Sequence, residues 1–262
     1  MTIEDPVEYI IDGVNQTQID EKINVTFANG LRSILRQDPD VILVGEIRDR
    51  ETAEIAFRAS LTGHLVLSSL HTNCSISAIT RLRDIGIDPF LLSSSLLGVI
   101  SQRLMRRNCP HCQERYYPEH KLLEKFSPLM PAEGSPYRFM RSKGCPQCND
   151  SGYKGRTGIF EVLKLDTAVR KLVYQNASEL EILNKAKEHG FKSMVESGIE
   201  KVLAGHTTLE ELERVAGSYE KLKQDHSEGN ACLKNQAENI FEFEELKQGM
   251  PDEISCNTRL SG

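Results

Sequence analysis

The chain has 262 residues, enough for one large domain or two small ones. Hydrophobic residues make up 39% and charged residues 27%, an ordinary composition for a protein with a packed core. The net charge of −6 argues against a nucleic-acid-binding protein, and no stretch approaches the ~20 apolar residues that span a bilayer. No signal peptide opens the chain, so we expect a cytoplasmic protein.

Short apolar runs alternate with helix-period segments in the first hundred residues. Met1–Ile3 has the character of a strand end, Val41–Val44 of a strand buried on both faces, and His64–Leu70 of a third strand. Helices are expected at 26–37, 50–62 and 76–86, and 89–100 is interpreted as a buried helix. This alternation predicts an α/β fold with a largely parallel sheet.

The pattern changes after Arg107. Residues 108–158 contain two Cys-x-x-Cys pairs, several prolines and a glycine-rich stretch. From Leu163 to about Val215 the sequence predicts three or four short helices, interrupted at Gly190 and Gly205. Thr208 followed by Glu211 is the signature of a capping box for the last of them. After Tyr219 apolar periodicity fades, and we expect a poorly ordered tail.

Polar side chains follow each predicted strand. Glu4 and Glu8 come after the first strand, Glu46 after the second and His71 after the third. Ligands of open α/β sheets bind at the carboxyl ends of the strands. Carboxylates there suit nucleotide hydrolysis, in which one orients or deprotonates water and another holds Mg²⁺. Arginines could offset phosphate charge, or equally form structural ion pairs: Arg32, Arg36 and Arg48.

Three long motifs resemble those of the secretion ATPase superfamily, which includes type II secretion system protein E and type IV pilus assembly ATPases. Thr2–Tyr9 resembles its aspartate box, Leu35–Asp49 the signature around its Walker B strand, and Leu61–Asn73 its histidine box. The resemblance continues through both cysteine pairs and Gly152–Gly158 to about residue 216.

This resemblance implies an ATP-hydrolysing motor subunit that uses ATP and Mg²⁺. It implies a homo-hexamer on the cytoplasmic side of an inner-membrane platform protein, with no nucleic-acid partner. By the same resemblance Glu8 positions the hydrolytic water, Glu46 acts with Mg²⁺ and the γ-phosphate, and His71 senses that phosphate. Gly45 stands where a generic Walker B strand carries Asp. The nucleotide-binding residues are expected to be Glu4, Gly45, His64, Arg32, Arg36 and Arg48.

The two cysteine pairs, Cys109/Cys112 and Cys145/Cys148, have the spacing of zinc knuckles. Four thiolates can surround one Zn²⁺ tetrahedrally in a closed, structural site; the alternative is four free thiols. We therefore predict four parts in the chain: a partial RecA-like parallel-sheet ATPase core (1–107), a four-cysteine zinc module (108–158), a small helical subdomain (159–216) and the tail (217–262).

One departure from the family concerns the phosphate-binding loop. No Gly-x-x-x-x-Gly-Lys-Ser/Thr occurs in the sequence, and in the family this loop lies upstream of the aspartate box. We therefore expect a fragment, a truncated reading frame or a decayed copy, with little ATPase activity of its own. The alternative function is an assembly or zinc-binding module without hydrolysis. Type II secretion, type IV pilus and DNA-uptake systems are not separated by these motifs.

Overall fold

The computed structural model describes residues 1–130 and 138–217. The strands are β1 (Thr2–Glu4), β2 (Gln16–Gln18), β3 (Val41–Glu46), β4 (Leu65–Ser69), β5 (Gly98–Asn108), β6 (Gln113–Arg115), β7 (Met140–Ser142) and β8 (Tyr153–Lys164). The helices are α1 (Phe27–Ile34), α2 (Arg50–Leu61), α3 (Ser77–Asp84), α4 (Pro89–Ser95), α5 (His120–Phe126), α6 (Thr167–Tyr174), α7 (Glu179–Glu188), α8 (Met194–Leu203) and α9 (Leu209–Ala216).

The first four strands form a parallel sheet in the order β2-β1-β3-β4, which confirms the predicted α/β fold with a parallel sheet. Helices α1 and α2 cover one face, where the buried side chains are apolar. Strand β2 was not predicted, because its polar residues Gln16–Gln18 give no apolar signal. It pairs with β1 at the edge of the sheet, where polar side chains reach solvent.

Two helix starts follow directly from the sequence. Thr26 accepts a hydrogen bond from the Asn29 amide and begins α1, and Asp49 accepts one from the Thr52 amide and begins α2. Each cap satisfies one backbone N–H that the first helical turn leaves unpaired. The two caps thus fix the residues at which α1 and α2 begin.

The expected helix at 89–100 is wrong in its second half. Asp88 caps α4 and Pro89 occupies its first turn, but the helix ends at Ser95. From Gly98 the chain forms β5, an eleven-residue strand paired antiparallel with β8. The sequence did not reveal this change from helix to strand, because the serines in the apolar run interrupt both the helical and the strand periodicity.

A groove of about 740 Å³ separates β4 from β5. Its lining includes Leu67 and Ser68 on β4 and Gly98 and Ile100 on β5. Within the described residues β4 is an edge strand of its sheet and β5 pairs with β8 alone. Leu65 and Leu67 on β4 are 44% and 49% exposed, which is unusual for a strand of a parallel sheet.

Three or four helices were predicted after Leu163, and the structure has four, α6 to α9; the chain turns at Gly190 and Gly205 with positive φ. Helices α6 and α7 share an apolar core with α2, α3 and α4. Helices α8 and α9 pack with β5, β8 and α5 in a second core. Both cores therefore join the segment after residue 108 to the segment before it.

The β5–β8 pair extends across both predicted domain limits, 107/108 and 158/159. The division into four parts stays a prediction, and residues 218–262 of the predicted disordered tail lie outside the described residues. In the part of the chain that the structure describes, no helix is long and apolar enough to cross a lipid bilayer.

Candidate functional site

The carboxyl ends of β1, β3 and β4 share one edge of the sheet, because the three strands are parallel. This edge brings Glu46, the last residue of β3, together with His71, two residues beyond β4. The His71 Nε2 atom lies 3.0 Å from Glu46 Oε2. The Glu46 side chain is 13% exposed, whereas that of His71 is 92% exposed. The imidazole thus reaches the carboxylate from the solvent side.

Arg48 completes this cluster. Its guanidinium forms an ion pair with Glu46 Oε1, and its Nη1 lies 3.5 Å from Asp5 Oδ2. The hydrogen bond from Arg48 is the main reason that the pKa of Glu46 lies below its usual range. Both oxygens of Glu46 are therefore engaged, one by Arg48 and the other by His71. Asp5 was not predicted as a site residue, although it lies in the aspartate-box motif.

Gly45 allows β1 and β3 to pack closely at this edge of the sheet. A Cβ atom at Gly45 would lie 3.2 Å from the Ile3 carbonyl oxygen and 3.3 Å from Glu4 Cα. A side chain at this position would therefore require the backbone of β1 to move by a few tenths of an ångström. The Gly45 carbonyl also accepts a hydrogen bond from Ser69 Oγ at 2.6 Å. Glycine, where a generic Walker B strand carries Asp, thus lets β1 lie close to β3 without this shift.

The other two predicted acids lie near the same edge but make different contacts. Glu4 Oε1 accepts hydrogen bonds from Thr2 Oγ1 at 2.5 Å and from Gln16 Nε2 at 2.9 Å. These bonds, with that from Thr2 the stronger, lower the pKa of Glu4. Glu8 lies on the exposed segment between β1 and β2. Within residues 1–130 and 138–217 it forms no hydrogen bond with Glu46 or His71.

The structure does not bring three of the predicted nucleotide-binding residues to this cluster. Arg32 forms an ion pair with Glu51 at 2.5 Å, which links α1 to α2. Arg36 is exposed in the turn that leads into the amino end of β3. His64 directly precedes β4, and its Nδ1 lies 3.0 Å from the Ala59 carbonyl oxygen at the end of α2. Arg36 and His64 thus lie at the amino edge, opposite Glu46.

The four cysteines of the predicted metal site form one cluster. Their Sγ atoms all lie within 4.8 Å of one another. The separations are 3.9 Å for Cys109–Cys145, 3.9 Å for Cys112–Cys148 and 3.7 Å for Cys145–Cys148. Four sulfurs placed tetrahedrally at ~2.3 Å from a metal ion would be about 3.8 Å apart. The cluster therefore has the dimensions of a closed tetrahedral metal site.

Backbone geometry holds the two cysteine pairs together. The Cys109 amide donates a hydrogen bond to the Gly152 carbonyl at 2.9 Å. Gly152 has φ +74°, and a Cβ atom there would lie 2.5 Å from the Ser142 carbonyl oxygen, so this turn requires glycine. Gly144 is constrained in the same way, because a Cβ would lie 2.7 Å from the Asp150 carbonyl oxygen. The cluster is thus built by tight turns.

The thiols of this cluster differ in acidity. Burial raises the pKa of Cys112 to about 11. Burial opposes ionisation of Cys148 too, but the backbone amides of Cys145 and Gly152 donate hydrogen bonds that lower its pKa to about 7. Cys148 is therefore the readier thiolate donor of the two. A metal ion must displace the proton of Cys112.

Comparisons with known proteins find similar sequences over most of the chain. Residues 1–214 match the family model described as Type II/IV secretion system protein. The chain is 53% identical over 216 residues to "Type II secretion system protein E" of Pseudomonas aeruginosa, covering 82% of this chain and 42% of that protein. It is 49% identical over 211 residues to "Type IV pilus assembly ATPase PilB" of Thermus thermophilus, covering 80% and 24%.

A solved structure shows the same likeness. The structure described as the pilus retraction motor PilT with bound ADP has a TM-score of 0.59 and 31% identity, and the match covers 85% of this chain and 54% of that chain. The chain spans about two fifths of the length of the curated relatives it first matches. The chain belongs to the Type II/IV secretion system protein family.

Proposed function

We propose that the chain forms part of an ATP-hydrolysing motor subunit that powers assembly of a type II secretion pseudopilus or a type IV pilus. The observation that carries this proposal is the contact of Glu46 with His71 at the carboxyl edge of the sheet. Ligands of such sheets bind at this edge. The names of the matched relatives, which include a pilus assembly ATPase, support the same function.

The proposed roles follow from what each group can do. Glu46 acts toward Mg²⁺ and the γ-phosphate, and the metal would neutralise charge on the phosphate oxygens. Because both of its oxygens are engaged, direct ligation requires Arg48 or His71 to move away. His71 is exposed and senses the γ-phosphate. Glu8 orients the attacking water, and its exposed segment must then close onto the edge.

The surroundings of this site are proposed on the same basis. The parallel sheet belongs to a partial RecA-like core in residues 1–107. The subunit acts in a homo-hexamer at the cytoplasmic face of the inner membrane, on a platform protein and without nucleic acid. The cysteine cluster binds one Zn²⁺, which would hold Cys109, Cys112, Cys145 and Cys148 as thiolates. This zinc stabilises the fold and leaves no coordination position for substrate.

A chimera tests the motor function. The part of the Pseudomonas relative that precedes the matched segment is joined to this chain, and phosphate release and ATP binding are measured. We expect steady turnover, which Glu8→Gln abolishes with ATP binding largely unchanged, because a water-positioning group acts in the transition state. His71→Ala should slow turnover. Glu51→Gln, on the surface of α2, is the matched control and should turn over normally.

The cysteine cluster favours a second candidate function, an assembly module that binds zinc without hydrolysing ATP. The isolated chain and the chimera, compared in the same assay, distinguish the two. With no recognisable phosphate-binding loop, its acids repel a triphosphate, and we expect weak Mg-ATP binding by calorimetry and negligible phosphate release. Micromolar binding with steady turnover by the isolated chain would contradict that expectation. A chimera that folds, binds ATP and never hydrolyses it would favour the assembly module.

A further inference from the structure

Glu161 on β8 is a buried carboxylate that the proposed chemistry does not use. It is 6% exposed. Its Oε1 atom accepts hydrogen bonds from the Ser75 amide at 2.8 Å and from Ser75 Oγ at 2.5 Å. Its Oε2 atom accepts one from the Met194 amide, the first residue of α8, at 3.2 Å. One side chain thus joins three segments that are far apart in sequence.

These contacts stabilise a charge without a cation. Within residues 1–130 and 138–217, no Lys, Arg or His forms an ion pair with Glu161. The three hydrogen bonds and the N-terminus of α8 replace the solvation that burial removes. A buried carboxylate left unsatisfied is costly, so the three donors must stay in place. The arrangement therefore fixes Ser75 against β8 and α8.

Ser75 closes the loop that carries His71. The loop leaves β4 at Ser69 and enters α3 at Ser77. Ser75 is fully buried, whereas His71, four residues earlier, is exposed and contacts Glu46. The strand holds one end of this loop and Glu161 holds the other.

We propose that Glu161 is a positioning residue for His71. By fixing Ser75 it holds the loop in the conformation that places the His71 imidazole against Glu46. The same bonds make the start of α8 part of the support of that loop, so a shift of α8 moves His71. The importance of this positioning for ATP hydrolysis rests on the proposed function, but the link itself does not.

The test uses the complete 262-residue chain, labelled with ¹⁵N in its histidines and kept free of nucleotide. The His71 ring signals are identified by their loss in His71→Ala. In Glu161→Gln a single carbonyl oxygen replaces two acceptors, so either the Ser75 side or the Met194 side faces an amide NH₂. We expect the His71 ring signals to shift and amide exchange at residues 72–76 to accelerate on the order of tenfold.

Glu179→Gln is the matched control. Glu179 accepts a hydrogen bond from Thr80 Oγ1 at 2.6 Å and links α3 to α7, but it does not touch the His71 loop. Its substitution should leave the His71 signals unchanged. Ser75→Ala removes one of the three hydrogen bonds and should shift the His71 signals in the same direction by less. This milder variant keeps the test valid if Glu161→Gln does not fold.

Unchanged His71 signals in a folded Glu161→Gln or Ser75→Ala protein would overturn the proposal. So would an equal shift in Glu179→Gln, because the effect would then be general loosening. Since no nucleotide is present, the chimera can fail to hydrolyse ATP while this link is upheld. The chimera can equally turn over while this link is refuted.

Discussion

The Glu46 carboxylate contacts the Arg48 guanidinium and the His71 imidazole, and Arg48 has the larger effect on its pKa. The Glu46 side chain is only 13% exposed, so burial already weakens the solvation of its charge, and the hydrogen bond from Arg48 offsets that loss. Arg48 is itself 58% exposed, so the ion pair contributes only about 0.5–1 kcal/mol to stability. The main effect of Arg48 is therefore on the acidity of Glu46.

We expect Arg48→Ala to raise the pKa of Glu46, as measured by NMR titration of its carboxyl carbon. The folded-state pKa is now depressed, so its stabilising contribution is present above the ordinary value and lost as pH falls through the folded-state pKa. The variant should therefore be slightly less stable at pH 7 and equally stable at low pH. Arg32→Ala, which breaks the pair with Glu51, should leave Glu46 unchanged. An unaltered Glu46 titration in Arg48→Ala would contradict this reading.

The sequence was sufficient to expect Glu46 and His71 at one edge, because the ends of parallel strands meet whatever the details of packing. The sequence patterns did not distinguish which of the arginines lies beside Glu46. Arg32, Arg36 and Arg48 all occur close to the motifs, but only Arg48 follows a strand at its carboxyl end. Arg36 precedes β3, and His64 precedes β4, so the direction of each strand separates them from Glu46. That direction could have been used with the sequence alone.

At the scale of elements, α9 shows how a local signal and a tertiary contact compete. Thr208 accepts the Glu211 amide as the capping box predicts. The Glu211 carboxylate does not return to Thr208; it accepts hydrogen bonds from the Arg106 amide and guanidinium and from Arg214. Only the bond from the Glu211 amide to Thr208 forms, because the two arginines are charged and bind the buried Glu211 carboxylate more strongly than the Thr208 amide would.

This contact makes the stability of the chain depend on pH. Although burial opposes ionisation, the hydrogen bonds from Arg214 and Arg106 lower the pKa of Glu211 to about 2. Its contribution should be fully present above the ordinary value of 4.5 and lost as pH falls toward 2. Its size is on the order of 3 kcal/mol.

Glu211→Gln should therefore lower the free energy of unfolding at pH 7 by on the order of 3 kcal/mol. The decrease in the free energy of unfolding between about pH 4.5 and 2 should also be smaller in the variant than in the wild type. Urea unfolding at several pH values measures both. Glu210→Gln, on the same helix and bonded to the Tyr116 hydroxyl, is the control and should change stability by less than about 1 kcal/mol. Equal pH profiles for wild type and Glu211→Gln would refute the assignment.

The cluster of four cysteines allows a prediction of the metal content. We expect about one Zn²⁺ per chain in freshly prepared, reduced protein, as measured by elemental mass spectrometry. Cys109→Ser or a chelator should remove it, and amide exchange in the described parts of residues 108–158 should then rise, since structural zinc contributes folding free energy. Cys74→Ser, outside the cluster, should keep the metal. Zinc-free reduced wild type would rule this site out as a zinc site.

At the scale of the whole molecule, the sequence predicted the class of fold better than the borders of its parts. Apolar periodicity gave three of the four parallel strands and the helices from Thr167 onward. It missed the long β5–β8 pair, because only Met105 and Asn108 of β5 are buried, whereas the apolar Ile100 and Leu104 are exposed. Long-range pairing of this kind depends on residues more than forty positions apart, which no local pattern records.

The groove beside β4 has a consequence for handling the chain. In the described residues, one side of β4 offers unpaired backbone groups next to the half-exposed Leu65 and Leu67. An uncharged edge of this kind is a template on which another extended backbone can add. We expect the maximum soluble concentration of the chain to fall as the temperature rises, because apolar association strengthens with temperature near 25 °C. Unfolding, amide-exchange and NMR measurements on the isolated chain should therefore be made on dilute, cold samples.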